Sequence, residues 1–320
     1  MERTPTTPVT VGGMRLGVLD VGSNTVHLLV VDAHRGAHPW PAHSEKTVLR
    51  LAEELGPGAT ITPRSTQALV EAVAGAARAA QRLGTDDLVA FATSAVRDAA
   101  NGAEVLRRVY EATGVELRTL SGEEEARTTF LAVRRWFGWS AGRLLALDIG
   151  GGSLEIAAGL DEEPEIALSL PLGAGRLTRD HLSGGDPPPA AAVAGLTSYV
   201  TAVLEPAAGK LAGFRWDRAV ATSKTFRSLA RLAGAAPSGA GLWVPRRLTA
   251  TGLQQVAGFI RHIPSSALAT MDGVGAGRAR QLLAGAVVAE VVLDRLEIAS
   301  LDLCPWALRE GVILRRMDVS

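Results

Sequence analysis

The sequence predicts an α/β protein whose two related lobes face each other across a cleft. A near-repeat is the first observation: LDVGSNTVHL at residues 19–28 returns as LDIGGGSLEI at residues 147–156. The second is the order of the predicted elements, in which strands and helices alternate and the whole series then starts again. The third is the length of 320 residues, which is enough for two modest domains.

The first half of the chain is predicted to form a sheet flanked by helices. Apolar runs on either side of a glycine turn predict an opening hairpin. Pro63 near the start and Gly84 just past the end mark the first long helix. Ser121 caps a later helix whose first turn holds three glutamates, which suit the positive end of the helix dipole. The predicted elements are a hairpin at 14–32, a strand at 46–51, a helix at 62–83, a strand at 88–92, a helix broken near 101–102, a strand at 115–120 and a helix at 121–136.

The second half repeats this order. A hairpin at 143–160 opens it, and SGGDPPP at 183–189 is the clearest loop of the chain. The remaining predicted elements are an Ala-rich helix after that loop, a strand at 218–221, a helix at 223–232, a helix capped by Thr249 or Thr251, a helix at 278–296, a strand at 298–303 and a helix at 306–317. We assign residues 1–13 to a flexible leader, residues 14–127 with a closing helix at 305–320 to lobe I, and residues 128–304 to lobe II.

Composition limits the classes of partner. The formal net charge is zero, which argues against a nucleic-acid-coating protein. The sequence contains no run of about 18 consecutive apolar residues, so no membrane span is predicted. Residues 1–13 lack the features of a signal peptide. The single cysteine, Cys304, excludes an internal disulfide. We therefore expect a cytoplasmic protein that contacts neither nucleic acid nor membrane.

Basic residues cluster between positions 206 and 271, where nine lysines and arginines accompany one acid, Asp217. This surplus predicts a polyanion nearby, while a solvated basic surface is the equal alternative. The nine are Lys210, Arg215, Arg218, Lys224, Arg227, Arg231, Arg246, Arg247 and Arg261.

The first repeat has the chemistry of a phosphate and metal site. Asp20, at a strand end, suits a hard cation or its bound water. Gly22 lets the backbone approach an anion, and Ser23, Asn24 and Thr25 offer hydrogen-bond donors. A plain hairpin turn built from Asp and Gly is the alternative.

The second repeat carries the stronger signal. Three consecutive glycines weaken a strand and suit a backbone pressed against a ligand. A glutamate two residues beyond the serine shares that serine's face if the strand continues. The residues concerned are Asp148, Gly150, Gly151, Gly152, Ser153 and Glu155. Together the two turns predict a metal held by Asp20 and Asp148, with Glu155 behind them, and phosphates held by the glycine turns.

The chain resembles the exopolyphosphatase/guanosine pentaphosphate phosphatase (Ppx/GppA) family. The motifs that carry the resemblance are DVGSNT at 20–25, ATSAVR at 92–97 with Asn101, SGEEEAR at 121–127, DIGGGSLE at 148–155, ATS at 221–223 and ALREG at 307–311. The length fits the short form, which resembles the actinobacterial exopolyphosphatases. The resemblance implies a two-lobed actin/sugar kinase/Hsp70-like (ribonuclease H-like) fold with an interlobe active-site cleft, Mg²⁺ as cofactor with Mn²⁺ as an alternative, and a homodimer.

The residues alone leave the catalytic base open among Glu123, Glu124 and Glu125. Neighbours on a helix point about 100° apart, so at most two of the three can face one cleft. The resemblance assigns the base to Glu125. Its place near a helix start and near arginines predicts a lowered pKa.

Five further side chains are predicted to hold phosphate. Ser94 lies in one of the motifs, and Arg97 and Arg127 are guanidinium clamps. Ion pairs of Arg97 with Asp98 and of Arg127 with Glu123 are the alternatives. Lys224 departs from the family, in which glycine is usual. It adds a cation for a longer phosphate chain, and Arg227 extends that patch one helical turn later. The five are Ser94, Arg97, Arg127, Lys224 and Arg227.

The predicted function is Mg²⁺-dependent hydrolysis of the terminal phosphoanhydride of inorganic polyphosphate. Hydrolysis of guanosine pentaphosphate is the first alternative, because that substrate ends in the same bond. A non-catalytic sensor of guanosine tetra- or pentaphosphate or of polyphosphate is the second. A sugar or acetate kinase on the same fold is third. Lys224 and the basic stretch favour the polymer.

Overall fold

Apolar runs of the two repeats fold into two central β-sheets, one in each lobe. The computed structural model describes residues 14–33, 40–51 and 55–319, so the predicted leader at 1–13 lies outside the described residues. Each sheet is built on an antiparallel hairpin to which parallel strands are added, as the βαβ order of the sequence requires.

The lobe I sheet has five strands in the order β3-β2-β1-β6-β7. Helices α1 and α3 cover one face, where Leu69 and Val105 are buried. The other face packs against Ile313 of the last helix. The elements are β1 (Met14–Val21), β2 (Thr25–Ala33), β3 (Trp40–Val48), a ribbon of β4 (Leu55–Gly56) and β5 (Thr60–Ile61), α1 (Pro63–Arg82), β6 (Asp87–Ala92), α2 (Ser94–Arg97), α3 (Gly102–Thr113) and β7 (Arg118–Thr119).

The lobe II sheet has six strands in the order β10-β9-β8-β11-β13-β12. The elements are α4 (Gly122–Phe137), β8 (Leu144–Ile149), β9 (Leu154–Gly159), β10 (Ile166–Leu170), α5 (Ala174–His181), α6 (Ala190–Leu211), β11 (Arg218–Ala221), α7 (Lys224–Leu232), β12 (Arg247–Thr249), α8 (Ala250–Ile260), α9 (Ser265–Leu268), α10 (Ala279–Arg295), β13 (Ser300–Leu303) and α11 (Leu308–Val319). Because side chains alternate along a strand, Leu145 and Leu147 face the core formed with α5 to α10, while Leu144 faces α4.

Helices α4 and α11 join the lobes. Phe130 of α4 is buried against the lobe II sheet, and Leu314 of α11 belongs to the same cluster. On another face of α11, Ile313 and Met317 pack against the lobe I sheet. The predicted boundary at residue 127 falls inside α4. The chain therefore crosses between the lobes along two packed helices.

Most of the predicted helices and strands are observed near their expected positions. The third strand runs over Trp40–Val48, earlier than the predicted 46–51, and the strand predicted at 115–120 shrinks to Arg118–Thr119. Strands β10 and β12 and helix α5 had no prediction. They are short, and each has too few residues to show the periodic spacing of apolar residues that marks a helix or a strand.

Among the described residues, α6 is the one helix long and apolar enough to span a membrane by length and composition. Single helices of this kind are weak evidence for a span. Its buried side chains, such as Leu196 and Leu204, belong to the lobe II core, and Pro206 lies inside the helix.

Candidate active site

The two repeated turns meet at the centre of the molecule. In the first, the Gly22 amide donates to the Thr25 carbonyl at 3.0 Å. In the second, the Gly150 amide donates to the Ser153 carbonyl at 2.9 Å. The two repeats therefore fold into turns with the same hydrogen bond, each two residues after its aspartate.

Two glycines of the second turn contact lobe I directly. A Cβ at Gly151 would lie 2.6 Å from the Cβ of Ser23, and a Cβ at Gly152 would lie 2.3 Å from the Oγ of Ser94. Gly150 differs, since its Cβ would make an ordinary contact 3.4 Å from the Ser153 carbonyl. We predicted that these glycines admit a ligand. For Gly151 and Gly152 the structure shows lobe I side chains in that space.

Polar contacts reinforce this junction. The side-chain amides of Asn24 and Gln281 exchange two hydrogen bonds, of 3.2 and 3.0 Å, and link the first turn to α10 of lobe II. Arg176 donates to the Gly152 carbonyl at 2.9 Å and forms an ion pair with Asp98 of lobe I. The lobes are thus held together on one side of the turns.

A cavity of about 170 Å³ opens where the turns meet. All of the predicted site residues line it except Arg97, Arg127, Gly152 and Arg227. The lining residues are Asp20, Gly22, Ser23, Asn24, Thr25, Lys46, Thr93, Ser94, Glu125, Thr129, Asp148, Gly150, Gly151, Ser153, Glu155, Lys224, Arg278, Ala307, Leu308 and Arg309.

The structure separates the three glutamates of α4. Glu124 completes a capping box with Ser121. Glu123 pairs with Arg127 at 2.7 Å on the outer surface. Glu125 alone enters the cavity, where it is 6% exposed. Of the three candidates for the base, only Glu125 has the geometry to reach a substrate.

The prediction that the pKa of Glu125 is lowered is wrong. Burial raises its pKa well above the usual value, and the nearby charge of Glu155 raises it further. Arg97, whose Nη1 donates to the Glu125 carboxylate, offsets only part of this. The position of a helix start was visible in the sequence, but desolvation, which depends on the tertiary fold, is the larger effect.

The other three cavity carboxylates lie on the two hairpins. Asp148 and Glu155 are direct partners across β8 and β9. The Ser169 hydroxyl donates to Glu155 at 2.9 Å, and the Thr222 hydroxyl donates to Asp148. Burial raises the pKa of Asp148, and burial with the Asp148 charge raises that of Glu155 to about 7. Burial likewise raises the pKa of Asp20.

These carboxylates do not form a ready-made metal cage. Across the described residues, no three His, Cys, Asp or Glu side chains lie close enough together to enclose an ion. Their chemistry nevertheless suits Mg²⁺, which is usually bound by one or two carboxylates, several waters and the oxygens of a substrate phosphate.

Four cations also line the cavity. They come from β3 (Lys46), the start of α7 (Lys224), the turn before α10 (Arg278) and the start of α11 (Arg309). In the part of the chain that the structure describes, no carboxylate forms an ion pair with Lys46, Lys224 or Arg278. Burial and the surrounding cations lower the pKa of Lys224 to about 8.

Three arginines that are predicted to hold phosphate have other contacts. Arg97 binds Glu125 and donates to the Leu120 carbonyl at 3.0 Å. Arg127 pairs with Glu123, the alternative that the sequence offered. Arg227 donates to the Pro305 carbonyl at 3.0 Å, although its charge still acts on the Lys224 ammonium. The cavity thus takes its cations from residues other than these three.

The basic stretch does not form one anion-binding surface. Arg218 and Arg247 share Asp302, at 2.8 and 2.9 Å, and Arg231 pairs with Asp272. The Arg246 guanidinium donates to the carbonyls of its own loop. Of the nine lysines and arginines between positions 206 and 271, only Lys224 lines the cavity. The cavity cations Lys46, Arg278 and Arg309 were not predicted, because no local motif marks them as phosphate-binding residues and they meet only in the folded chain.

Comparison with known proteins gives consistent matches. A model of the Ppx/GppA phosphatase family matches residues 30–319. Exopolyphosphatase 1 of Mycobacterium tuberculosis is 59% identical over 306 residues, 95% of this chain and 89% of that protein. Guanosine-5'-triphosphate,3'-diphosphate pyrophosphatase of Aeromonas salmonicida is 26% identical over 92% of this chain and 58% of that protein.

Solved structures confirm the predicted two-lobed, actin-like α/β fold. The crystal structure of an exopolyphosphatase from Cytophaga hutchinsonii superposes with a TM-score of 0.86, covering 95% of this chain and 98% of that chain. The sequence identity of that pair is 23%, so the match speaks for the fold alone.

Proposed function

The chain belongs to the Ppx/GppA phosphatase family, and we propose that it is an exopolyphosphatase, a phosphoanhydride hydrolase that releases terminal orthophosphate from inorganic polyphosphate. The 59% identity to a protein named exopolyphosphatase supports this assignment. The relative named for guanosine pentaphosphate matches at 26% identity and is a much longer protein.

One observation carries the proposal: a cavity that brings unpaired cations together with a buried carboxylate. Lys46, Lys224 and Arg278 form no ion pair within the described ranges, yet all three line the same small space as Glu125. Clustered cations that form no direct ion pair repel one another, so this part of the site favours a highly charged anion. A carboxylate among them suits activation of water more than anion binding.

Glu125 is the proposed general base. It faces the cavity, where it can take a proton from the attacking water, and burial with the Glu155 charge raises its pKa, which makes the carboxylate a stronger base. Arg97 forms an ion pair with this carboxylate. Lys46, Lys224, Arg278 and Arg309 would bind the phosphate oxygens and stabilise the charge that spreads over them during phosphoryl transfer. The amides of the two glycine turns would bind the terminal phosphate.

Mg²⁺ is the proposed cofactor, with Mn²⁺ as an alternative. Asp20, Asp148 and Glu155 would hold the ion, directly or through water, together with phosphate oxygens. When bound, it neutralises charge on the transferring phosphoryl group. A homodimer and binding of guanosine polyphosphates stay proposals from the resemblance, and a cytoplasmic location stays a proposal from the composition.

A substrate panel tests the proposal. Orthophosphate release should be measured from long-chain polyphosphate, tetraphosphate, guanosine pentaphosphate and ATP, each with Mg²⁺. We expect kcat/KM to be highest for polyphosphate. Turnover of guanosine pentaphosphate alone would assign the alternative activity, and binding without turnover of any substrate would assign a sensor.

A further inference from the structure

His27 is a buried side chain in the wall of the site that the proposed chemistry does not use. The register of β1, β2 and β3 places Asp20, His27 and Lys46 side by side on neighbouring strands. Asp20 and Lys46 both line the cavity, and His27, which is 4% exposed, lies between them. A buried histidine at this position calls for an account of its two ring nitrogens.

Both ring nitrogens have partners. Nε2 lies 2.8 Å from the Oγ of Ser44, and Nδ1 contacts the Nη1 of Arg309. A guanidinium only donates hydrogen bonds, so Nδ1 must accept. The ring proton is therefore on Nε2, which donates to Ser44. The contacts fix both the tautomer and the orientation of the ring.

Arg309 is the group that this ring holds. It comes from the start of α11, and its Nη1 lies 3.6 Å from the Oδ2 of Asp20. Its Nε is buried without a hydrogen-bond partner. An ion pair of 3.6 Å with Asp20 alone leaves the direction of the guanidinium poorly defined. The bond to His27 supplies the second fixed point.

We propose that His27 is a positioning residue for Arg309. Ser44 orients the imidazole, Nδ1 accepts from Arg309, and the guanidinium is thereby held beside Asp20 and directed at the substrate phosphate. This inference rests on the proposed function, because it assigns Arg309 to the transferring phosphate.

The surroundings keep His27 an acceptor. Burial and the charge of Arg309 lower its pKa to about 3, so the ring stays uncharged across the range in which the enzyme would work. A cation at this position would repel the guanidinium.

Two substitutions separate the two ring nitrogens. Asparagine places an acceptor near the position of Nδ1, whereas glutamine places its terminal group near Nε2. We expect His27→Gln to lower kcat/KM for polyphosphate about tenfold, as loss of a hydrogen bond to a charged group would. His27→Asn should stay within about threefold of wild type. If both variants lose activity equally, or if His27→Gln has wild-type kinetics, the proposal is overturned.

A double-mutant cycle measures the coupling between His27 and Arg309, which a purely structural role of His27 would not produce. In an Arg309→Gln background, His27→Gln should cause no further loss, since the contact is already absent. Additive losses would contradict the proposal. If His27→Gln does not fold, Ser44→Ala replaces it, since Ser44 lies at an exposed position of β3. That change should lower kcat/KM about threefold in wild type only.

Phosphate release by the wild-type protein distinguishes failure of this inference from failure of the proposed function. Absence of phosphate release from polyphosphate by wild type would end the exopolyphosphatase proposal. The same variants would then be compared by calorimetric binding of tripolyphosphate. The His27 proposal expects weaker binding by His27→Gln than by His27→Asn, and equal binding would overturn it.

Discussion

The two hairpin turns share a backbone and differ in charge. Asp20 and Asp148 occupy the same position in each turn, followed by the same amide-to-carbonyl hydrogen bond. Across the hairpin, Asp20 faces His27, whereas Asp148 faces Glu155. In each lobe a serine of the next strand hydrogen-bonds that partner: Ser44 in lobe I and Ser169 in lobe II.

This difference shows how a duplicated framework can form an asymmetric site. On the lobe I side the acceptor ring of His27 binds Arg309, while Lys46 lies on the neighbouring strand. On the lobe II side Glu155 adds a second carboxylate beside Asp148. One hairpin therefore has cations beside its aspartate, and the other has a second carboxylate beside its own. The shared backbone supplies amides on both sides.

The carboxylate side of this comparison is tested most strongly by Glu125→Gln. The substitution keeps the shape of the side chain and a hydrogen-bonding group for Arg97, but it removes the proposed base. We expect kcat for orthophosphate release from polyphosphate to fall by about 10²- to 10⁴-fold. Binding of polyphosphate, measured by calorimetry, should be retained, because the cations are unchanged.

Glu123→Gln is the matched control, two positions away on the same helix. Glu123 is paired with Arg127 outside the cavity, so its loss should leave kcat within about twofold of wild type. A Glu125→Gln enzyme with wild-type kcat would show that another group activates the water. Loss of binding in that variant would place Glu125 in substrate recognition instead.

The positions of the two turns can be predicted from the sequence because their signal is local. Asp20, Asp148 and the glycines stand in contiguous motifs, and a strand–turn–strand pattern fixes where they lie. The residues alone do not decide among Glu123, Glu124 and Glu125, because the docking of α4 on the lobe II sheet determines which one faces the cavity.

The cations could not be predicted in the same way. Lys46 and Arg278 come from segments far apart in the chain and meet only after both lobes have folded. The basic stretch had a clear signal, yet Arg218, Arg231 and Arg247 are neutralised by acids from elsewhere in the sequence. A local charge count does not reveal such long-range pairs.

The shared backbone is tested by alanine at two glycines of the second turn. A Cβ at Gly152 would lie 2.3 Å from the Oγ of Ser94, so Gly152→Ala must push the lobes apart or displace Ser94. We expect kcat/KM for polyphosphate to fall about tenfold or more, and the free energy of unfolding to fall by about 1–3 kcal/mol. Steady-state kinetics and denaturant unfolding measure the two effects.

Gly150→Ala is the control within the same turn. Its Cβ has ordinary room, so activity and stability should stay close to wild type. If Gly150→Ala were the more damaging change, a ligand approaching that backbone would explain the glycines better than lobe contact does. Wild-type behaviour of Gly152→Ala would show that the lobes tolerate a wider separation.

The contribution of the cavity cations is tested by the pH dependence of kcat/KM, because Lys224 titrates near the working range. Its pKa of about 8 means that the ammonium is charged below that pH and loses its charge as the pH rises through it. We expect kcat/KM for polyphosphate to fall by about fivefold between roughly pH 7 and pH 9, in proportion to the lost attraction. Lys224→Arg should remove this step, because a guanidinium stays protonated over the whole range. A step of the same size in Lys224→Arg would assign the titration to another group, and no step in either enzyme would mean that the remaining cations hold the phosphate without Lys224.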